Sequence, residues 1–463
     1  MSLLTELEWI RTTNYKDVAP TALAKNGLAA GAGGVKVSAA MKTLLTKAKI
    51  GLLFCLLSLA LTAAGQQWTQ TTSLPDGYED QSLVYWNGFL YQAGGHSNLN
   101  GILDGINVFY AQVHTNGTIG SWNVATLLPQ AVFYHAGVVA SGFLYILGGY
   151  HYSDQMGIFI TNTVYYARIN PDGSVGAWQT ANPLPRALAW MSAAVWNGRI
   201  YVAGGGDDTS LYADVWSAQI QSDGSLSPWA AQTPLPNAVY MQAAVANGLL
   251  YVLGGTILKS SGAEEFLSNV FYSRINPDGT LAGWNQTTPM PAPLAGFGAV
   301  AAQGQIFVLC GLVGGTALTN SFFSVPVAGD GSLGKWFSGP HLPLSIYRGH
   351  GNYLFGTAVT DSFIFVAGGT DGGADFNNVF YLGLPPLPAT PLLAPQRFGT
   401  NGAFQLRLTS TTNTGFGLLT STNLTTWTNI GWGFTGTNGS LLWQDTNAAN
   451  FPNRFYRAYW PLP

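Results

Sequence analysis

The side chains with chemistry to offer fall into clusters along this chain. Tyr134-His135 and His151-Tyr152 each set an imidazole beside a phenol. Glu79-Asp80, Asp207-Asp208 and the pair Asp371 and Asp375 set carboxylates together, while Arg186 and Arg348-Gly349-His350 add cationic groups. Trp190, Tyr240 and Tyr347 add flat apolar surfaces. An imidazole and a carboxylate can exchange a proton, and a guanidinium can grip a carboxylate through two parallel hydrogen bonds. Aromatic rings stack on sugar faces while polar neighbours bond the hydroxyls, so this mixture suits a saccharide. The same aromatics serve equally well as packing between layers of β-structure. Two acids at one turn fall short of the six or more oxygens that calcium takes, and Asp is a good turn residue in its own right. Neither a metal nor a cofactor is expected.

These residues are positioned by a repeat. Trp68, Trp122, Trp178, Trp229, Trp284 and Trp336 recur at gaps of 54, 56, 51, 55 and 52 residues. Four further marks fall into step with them. A Leu-Pro or Met-Pro pair (Leu128-Pro129, Met290-Pro291) reads as a strand-ending connection, because proline cannot donate to a ladder. A pair such as Asn87-Gly88 or Asn197-Gly198 between apolar runs is a hairpin signal. An apolar strand then ends in two glycines, as at Gly148-Gly149, and a turn such as Asn170-Pro171-Asp172-Gly173 precedes the next Trp. Each unit therefore holds four short strands, a to d; in the second unit a covers about 133–140, b about 143–149, c about 162–169, and d carries Trp178. Units this small must stack to bury their apolar faces. Four antiparallel strands repeated radially make a β-propeller blade. Trp68 has no a, b or c strand before it, and the last unit has no Trp after it. The spacing thus predicts that the segment 66–70 supplies strand d of blade six and closes the ring.

The diglycine followed by a later Trp resembles the kelch motif, over about 66–384. The resemblance implies an all-β fold, a six-bladed kelch-type β-propeller, and leaves function to the site. In such a ring the d–a and b–c connections share one face. The candidates fall there: Glu79, Asp80, Tyr134, His135, His151, Tyr152, Arg186, Trp190, Tyr240, Arg348 and His350. Blade six is longer than the others, with 18 residues from Pro343 to its a–b turn at Asp361 against 11 or 12 elsewhere; the extra stretch holds Arg348 and His350 and reads as a cap on a site or as a tolerated loop. Two enzyme families share this propeller. Copper-radical oxidases related to galactose oxidase use a Tyr-His pair and a Cys cross-linked to Tyr; Tyr134-His135 or Tyr150-His151 match the pair, but Cys310 replaces the first glycine of blade five's diglycine, where it reads as a small buried filler. N-acetylneuraminate epimerases (mutarotases) are secreted bacterial kelch propellers, and their chemistry would need Arg186 or Arg348 with Glu79 or a histidine.

Around the ring, 1–40 reads as an upstream extension and 41–65 as a signal peptide: Lys42, Lys47 and Lys49 precede the apolar run 50–64, which is short for a membrane span. A Pro-rich linker is expected over 385–396. The remainder, 397–463, alternates apolar and polar residues. Its 420–428 stretch, with Asp445 and Arg454-Phe455-Tyr456-Arg457, resembles a small β-sandwich accessory module of secreted bacterial proteins, implying surface display or adhesion. Without 1–64 the chain carries 11 Lys and Arg against 18 Asp and Glu, a net charge of about −7, with Lys259 and Lys335 as its lysines. That balance offers no basic stripe for nucleic acid. Cys310 is the single cysteine left, so stability must come from the stacked core. The expectation is a monomeric protein, secreted or at the cell surface with no stable membrane span after cleavage. It would recognise a glycan or another extracellular partner without catalysis. A mutarotase-type sugar enzyme and a copper-radical oxidase are the alternatives.

Overall fold

The computed structural model describes residues 66–237, 239–259, 261, 263–313, 317–344, 355–371, 373–386, 392–398, 403–412, 415–424 and 426–459. The upstream extension 1–40, the signal segment 41–65, part of the linker (387–391), Tyr347, Arg348 and His350 lie outside the described residues.

Six four-stranded antiparallel sheets follow one another along 66–386, a compact unit of its own. Blade two is representative: strand a is Ala136–Ala140, b is Phe143–Leu147, c is Val164–Arg168 and d is Gln179–Thr180. The a–b hairpins are set by their two central residues. Ser141 and Gly142 sit at φ 53° and 80°, and Asn87, Asn197, Asn247 and Gln303 with their glycines do the same. Positive φ at both positions is what a type I′ turn demands, and its twist matches that of the flanking strands. In blade six a side-chain bond does this work instead, from the Phe363 amide to Thr360 Oγ1 at 2.8 Å. Strand b lies between two neighbouring blades, and all five of its residues in blade two are buried.

The ring closes as the tryptophan phase requires. Strand Thr69–Thr71 pairs with Val379–Gly383, matching Thr69 to Tyr381 and Thr71 to Val379. The N-terminal strand thus becomes strand d of blade six and leaves that sheet no open outer edge on strand c. The tryptophans stand just before each strand d and tie one blade to the last. Trp122, Trp178, Trp229 and Trp284 donate their indole N–H to the carbonyls of Thr72, Thr126, Asn182 and Thr233, at 2.9–3.2 Å. Trp68 does the same at the seam, donating to Pro340 at 2.8 Å, whereas the buried Trp336 indole N–H makes no such bond. A second clamp runs the other way. Tyr91, Tyr145, Tyr201 and Tyr251, all in strand b, donate their hydroxyls to Gly173, Gly224, Gly279 and Gly331 in the next blade's c–d turn. Phe307 and Phe365 take that place in blades five and six. The core is accordingly a series of layers between blades, such as Tyr145, Leu147 and Leu184 of blade two against Ile200, Val202 and Ala218 of blade three.

Strands a, b and c are shorter than the sequence pattern suggests because their ends turn into a second tier on the d–a/b–c face. There the lead-in to strand a pairs with the segment after the diglycine: Ala131–Phe133 with Tyr150–Ser153, Tyr78–Glu79 with His96–Ser97, and Leu294–Ala295 with Leu312–Val313. The diglycine permits this crossing. A Cβ on Gly149, at φ 89°, would lie 2.7 Å from the Phe133 carbonyl oxygen.

Residues 392–459 form two three-stranded sheets. Leu393, Phe404, Leu406 and Leu408 of one face Phe416, Leu418 and Tyr456 of the other across a small core, which makes a β-sandwich. Asp445 and Arg454 form a buried ion pair there, and Tyr456 donates to the same Asp445 oxygen at 3.0 Å. These residues, which carry the C-terminal resemblance, hold the module together.

Candidate functional site

The second tier brings the aromatic candidates into one row across four blades. Phe133 and Tyr150 stack at 5.4 Å, and Tyr134 meets Tyr150 at 5.9 Å and Trp190 at 5.5 Å. Trp190 lies 5.2 Å from Tyr150 and 5.1 Å from Tyr240. His96 extends the row into blade one, 4.3 Å from Phe133. Tyr134, Tyr150, Trp190 and Tyr240 are half-buried, with one side of the row in the protein.

The backbone beneath this row is strained in register. Asp80, Tyr134 and Trp190 hold the same position on blades one, two and three, at φ 60°, 55° and 58°, and blade five has Gly296 there at 59°. Side chains rarely adopt this conformation, at a cost of about 1–3 kcal/mol each. Blade four reaches a comparable outcome with a β-bulge between Tyr240 and Gln242. Among the described residues only blade five uses glycine at this kink; blades one to three place a carboxylate, a phenol and an indole on it.

Acids flank the row at its blade-one end and beside Tyr150. Near blade one, His96 Nδ1 lies 3.4 Å from Asp80 Oδ2 and 3.5 Å from Glu79 Oε1. Burial opposes the charged imidazole, but hydrogen bonds and charge from Asp80 and Glu79 outweigh it and lift its pKa to about 9. The nearby Asp375 carboxyl is pushed up to about 6 by burial and then by the Glu79 charge. The Glu79, Asp80 and His96 ligand atoms lie within 4.8 Å of one another and could contact one divalent ion. As an imidazolium against two carboxylates, the set also supplies its own counter-charge. Near blade three, Tyr150 donates its hydroxyl to Asp208, and burial with that carboxylate keeps the phenol protonated far above its ordinary range.

The other candidates sit apart from this row. His135 and His151 are 2% and 1% exposed. Burial depresses their pKa values to about 3 and 4, so both are neutral near pH 7. His135 Nε2 rests 3.1 Å from Ser82 Oγ, and His151 Nδ1 contacts Gln130 at 2.9 Å while its ring stacks on Tyr165. His151 is a packing histidine, while His135, also buried, lies in the wall of the central cavity. Arg186 lies over the Tyr212 ring at 3.9 Å and pairs with Asp214 at 3.4 Å. Tyr152 stands on the outer ribbon opposite Ile158 and Ala131. Asp207 and Asp371 act as turn builders: Asp207 accepts from the amides of Thr209 and Ser210, and Asp371 from those of Gly373 and Ala374. Residues near the starts of all six inner strands, including Ser82, Ser192, Gln242 and Thr357, line a central cavity of about 130 Å³.

His96, Phe133 and Tyr150 join the site although the motif reading placed none of them among its ligand-binding residues. The available signal was position: His96 directly follows a diglycine, as Tyr150 does. Cys310 lies in an apolar cluster with Trp68, Phe307, Phe322 and Leu342, its thiol pushed up by burial. No tyrosine belongs to that cluster among the described residues, so these residues do not fit a Cys–Tyr copper centre.

Comparison with known proteins agrees on the scaffold. No family model matches the chain. Over 239 residues, 50% of this chain, it is 27% identical to Kelch-like protein 36 of Bos taurus, and over 163 residues, 33% of this chain, it is 33% identical to Kelch repeat and BTB domain-containing protein 12 of Danio rerio. It is also 27% identical to Beta-scruin of Limulus polyphemus over 180 residues, 38% of this chain. The chain spans 35%, 24% and 18% of those relatives' lengths. The solved structure of YjhT superposes with a TM-score of 0.52, covering 67% of this chain and 95% of that one at 15% identity. The fold is a kelch-type β-propeller. Its six tryptophans stay in register, and five blades keep the kelch diglycine while blade five has Cys310-Gly311. Among the described residues no helix is long and apolar enough to cross a membrane.

Proposed function

We propose that this kelch propeller is a non-catalytic recognition protein that binds a saccharide on the ring row of blades two to four. The observation that carries this reading is the strained backbone in register, which sets Tyr134 and Trp190 on successive blades with Tyr240 beside them. Strain of this kind persists where the surroundings enforce it and clusters at ligand sites. Half-buried rings offer stacking surface at low entropic cost, and Asp208, with the Tyr134 and Tyr240 hydroxyls, can bond sugar hydroxyls at the rim. We further propose that the protein acts outside the cell, as the basic and apolar segment 42–64 suggests. N-terminal sequencing of the exported protein tests this; a mature chain that retains residues 41–65 would refute it.

The mutarotase alternative needs a cation for the substrate carboxylate. Of its two candidates, Arg348 lies outside the described residues and Arg186 already has Asp214 as its partner, while the acids at the blade-one end and beside Tyr150 would repel an anion. A neutral glycan is the better match. Glycan-array binding with the full chain tests the proposal. Trp190→Ala and Tyr240→Ala should each weaken a positive glycan about tenfold, the equivalent of a lost ring contact of about 1–1.5 kcal/mol. Arg186→Ala should leave it within about twofold. Unchanged binding by both aromatic variants, or anomeric exchange of N-acetylneuraminate accelerated by the purified protein, would overturn the reading.

A further inference from the structure

Three blades raise a β-ribbon on the loop face, a short one in blade five where 312–313 pairs with 317–318 and longer ones in blades two and four, and the outer edges of the two longer ribbons differ in kind. In blade four, 256–258 pairs with 264–266, and the outer strand bears Glu264 and Glu265, with Lys259 3.4 Å from Glu265. Charges on an exposed edge are the usual guard against pairing with another chain. In blade two, Tyr150–Ser153 pairs with Gly157–Ile160, and that strand is the edge of its three-stranded sheet. It reads Gly157-Ile158-Phe159-Ile160 and carries no charge. Ile158 is 52% exposed and Met156, in the ribbon's turn, is 65% exposed.

The backbone of this edge is laid out as half of a ladder. The Thr161 amide donates to Gly149 at 3.0 Å, which makes that pair a bonded one. Bonded pairs alternate in an antiparallel ribbon, so Phe159 and Gly157 turn their amides and carbonyls inward to His151 and Ser153. Those of Ile158 and Ile160 point outward. Two donors and two acceptors are therefore spaced for another strand.

The charged side chains nearest along the chain are acids, and Arg186, which lies over Tyr212 beside Asp207, is already paired with Asp214. Asp154 lies in the ribbon, and Asp207 and Asp208 lie in the blade-three loop that Tyr150 touches. No Lys or Arg occurs between residues 125 and 167 or between 203 and 214. A second copy paired antiparallel on this edge would bring the same acids against these, which disfavours self-association.

We infer that strand Gly157–Ile160 is a β-augmentation site for a partner protein's extended segment, one with aliphatic side chains flanked by lysine or arginine. Main-chain hydrogen bonds supply the attachment, Ile158 and Met156 the apolar contact, and the acids the choice of basic flanks. This site adjoins the row of rings, since Ile160 pairs with Tyr150, but it does not rest on the saccharide reading.

Calorimetry with the full chain tests it, using as probe a short peptide of alternating valine and threonine with lysine at both ends. The peptide should bind, and replacing its lysines by glutamate should weaken binding at least about tenfold. Methylating alternate peptide amides should abolish binding, an arm that does not depend on how any variant folds. Ile158→Pro removes an outward amide without touching the inner ladder, and should weaken binding at least about tenfold with an unchanged thermal midpoint. No binding by the lysine peptide, equal binding of the methylated peptide, or full binding by a folded Ile158→Pro protein would each overturn the inference. So would a wild-type dimer in sedimentation that Ile158→Pro dissolves, which would identify the occupant as a second copy.

Discussion

The two ends of each blade are built by opposite rules. At the c–d end the same turn is made again and again. Asp172, Asp223, Asp278 and Asp330 each accept from the amide and hydroxyl of the Ser or Thr two residues on, and Asn116 does so with Thr118. The tyrosine clamp from the preceding blade lands on the glycine of four of these turns. At the d–a/b–c end the equivalent positions hold Asp80, Tyr134, Trp190, Tyr240 and Gly296, and the ribbons differ blade by blade. One end spends its side chains on joining blades, and the other carries the side chains left over for recognition. A substitution at the first end should therefore be read in stability, and one at the second in binding.

The largest break in that division is predicted at the seam. Trp68→Ala removes a buried ring packed on Phe322 and the bond to Pro340. It should cost about 3–5 kcal/mol and lower the thermal midpoint by several degrees, measured by calorimetry. Trp190→Ala, the same change at the loop end, should lose less than half as much stability. Equal losses would erase the distinction between seam and site. Next in size is the tyrosine clamp. Tyr145→Phe leaves the Gly224 carbonyl without its donor and should cost about 1 kcal/mol in chemical denaturation.

Two pH effects sharpen the comparison further. At the turn end, hydrogen bonds from Ser or Thr hold Asp172, Asp223, Asp278 and Asp330 below the usual carboxylate range. Their contribution is fully present above about pH 4 and lost as pH falls through the lowered folded values. Replacing these four by asparagine should flatten the acid limb of the stability profile. At the loop end the sign reverses. His96 has a folded pKa raised to about 9, so its contribution is complete below the unfolded value of about 6.5 and lost as pH rises toward 9. NMR titration should find His96 still charged at pH 8 and His135 neutral at pH 5. A His96 midpoint near 6.5 would remove the ion set from the loop face.

Much of the scaffold was legible because its signals are local and repeated. The tryptophan spacing, the paired turn residues and the diglycines each act within a few residues, and six copies point to one blade. The phase of Trp68 even specified how the ring closes, since a strand d without its blade must pair with a blade lacking one. Strand ends were less legible. The residues 133–135 and 148–149 continue the apolar pattern of strands a and b, yet they belong to the second tier or to the kinks that lead into it.

The site was legible as a list and not as an arrangement. Tyr134 and His135 are adjacent, yet a kink at φ 55° sends Tyr134 into the row of rings and leaves His135 buried. His151 alternates with Tyr150 along one strand, so one faces the core and the other the row. Arg186 is one residue past its Leu-Pro pair, but whether it meets the row or Asp214 depends on a loop from elsewhere in the blade. By itself the sequence determined the blade, the count and the seam, because each follows from short-range turn chemistry and period. Only the tertiary structure decided which side chains share a surface. Neighbours on that surface come from different blades, and a single backbone kink reverses which of two adjacent residues faces it.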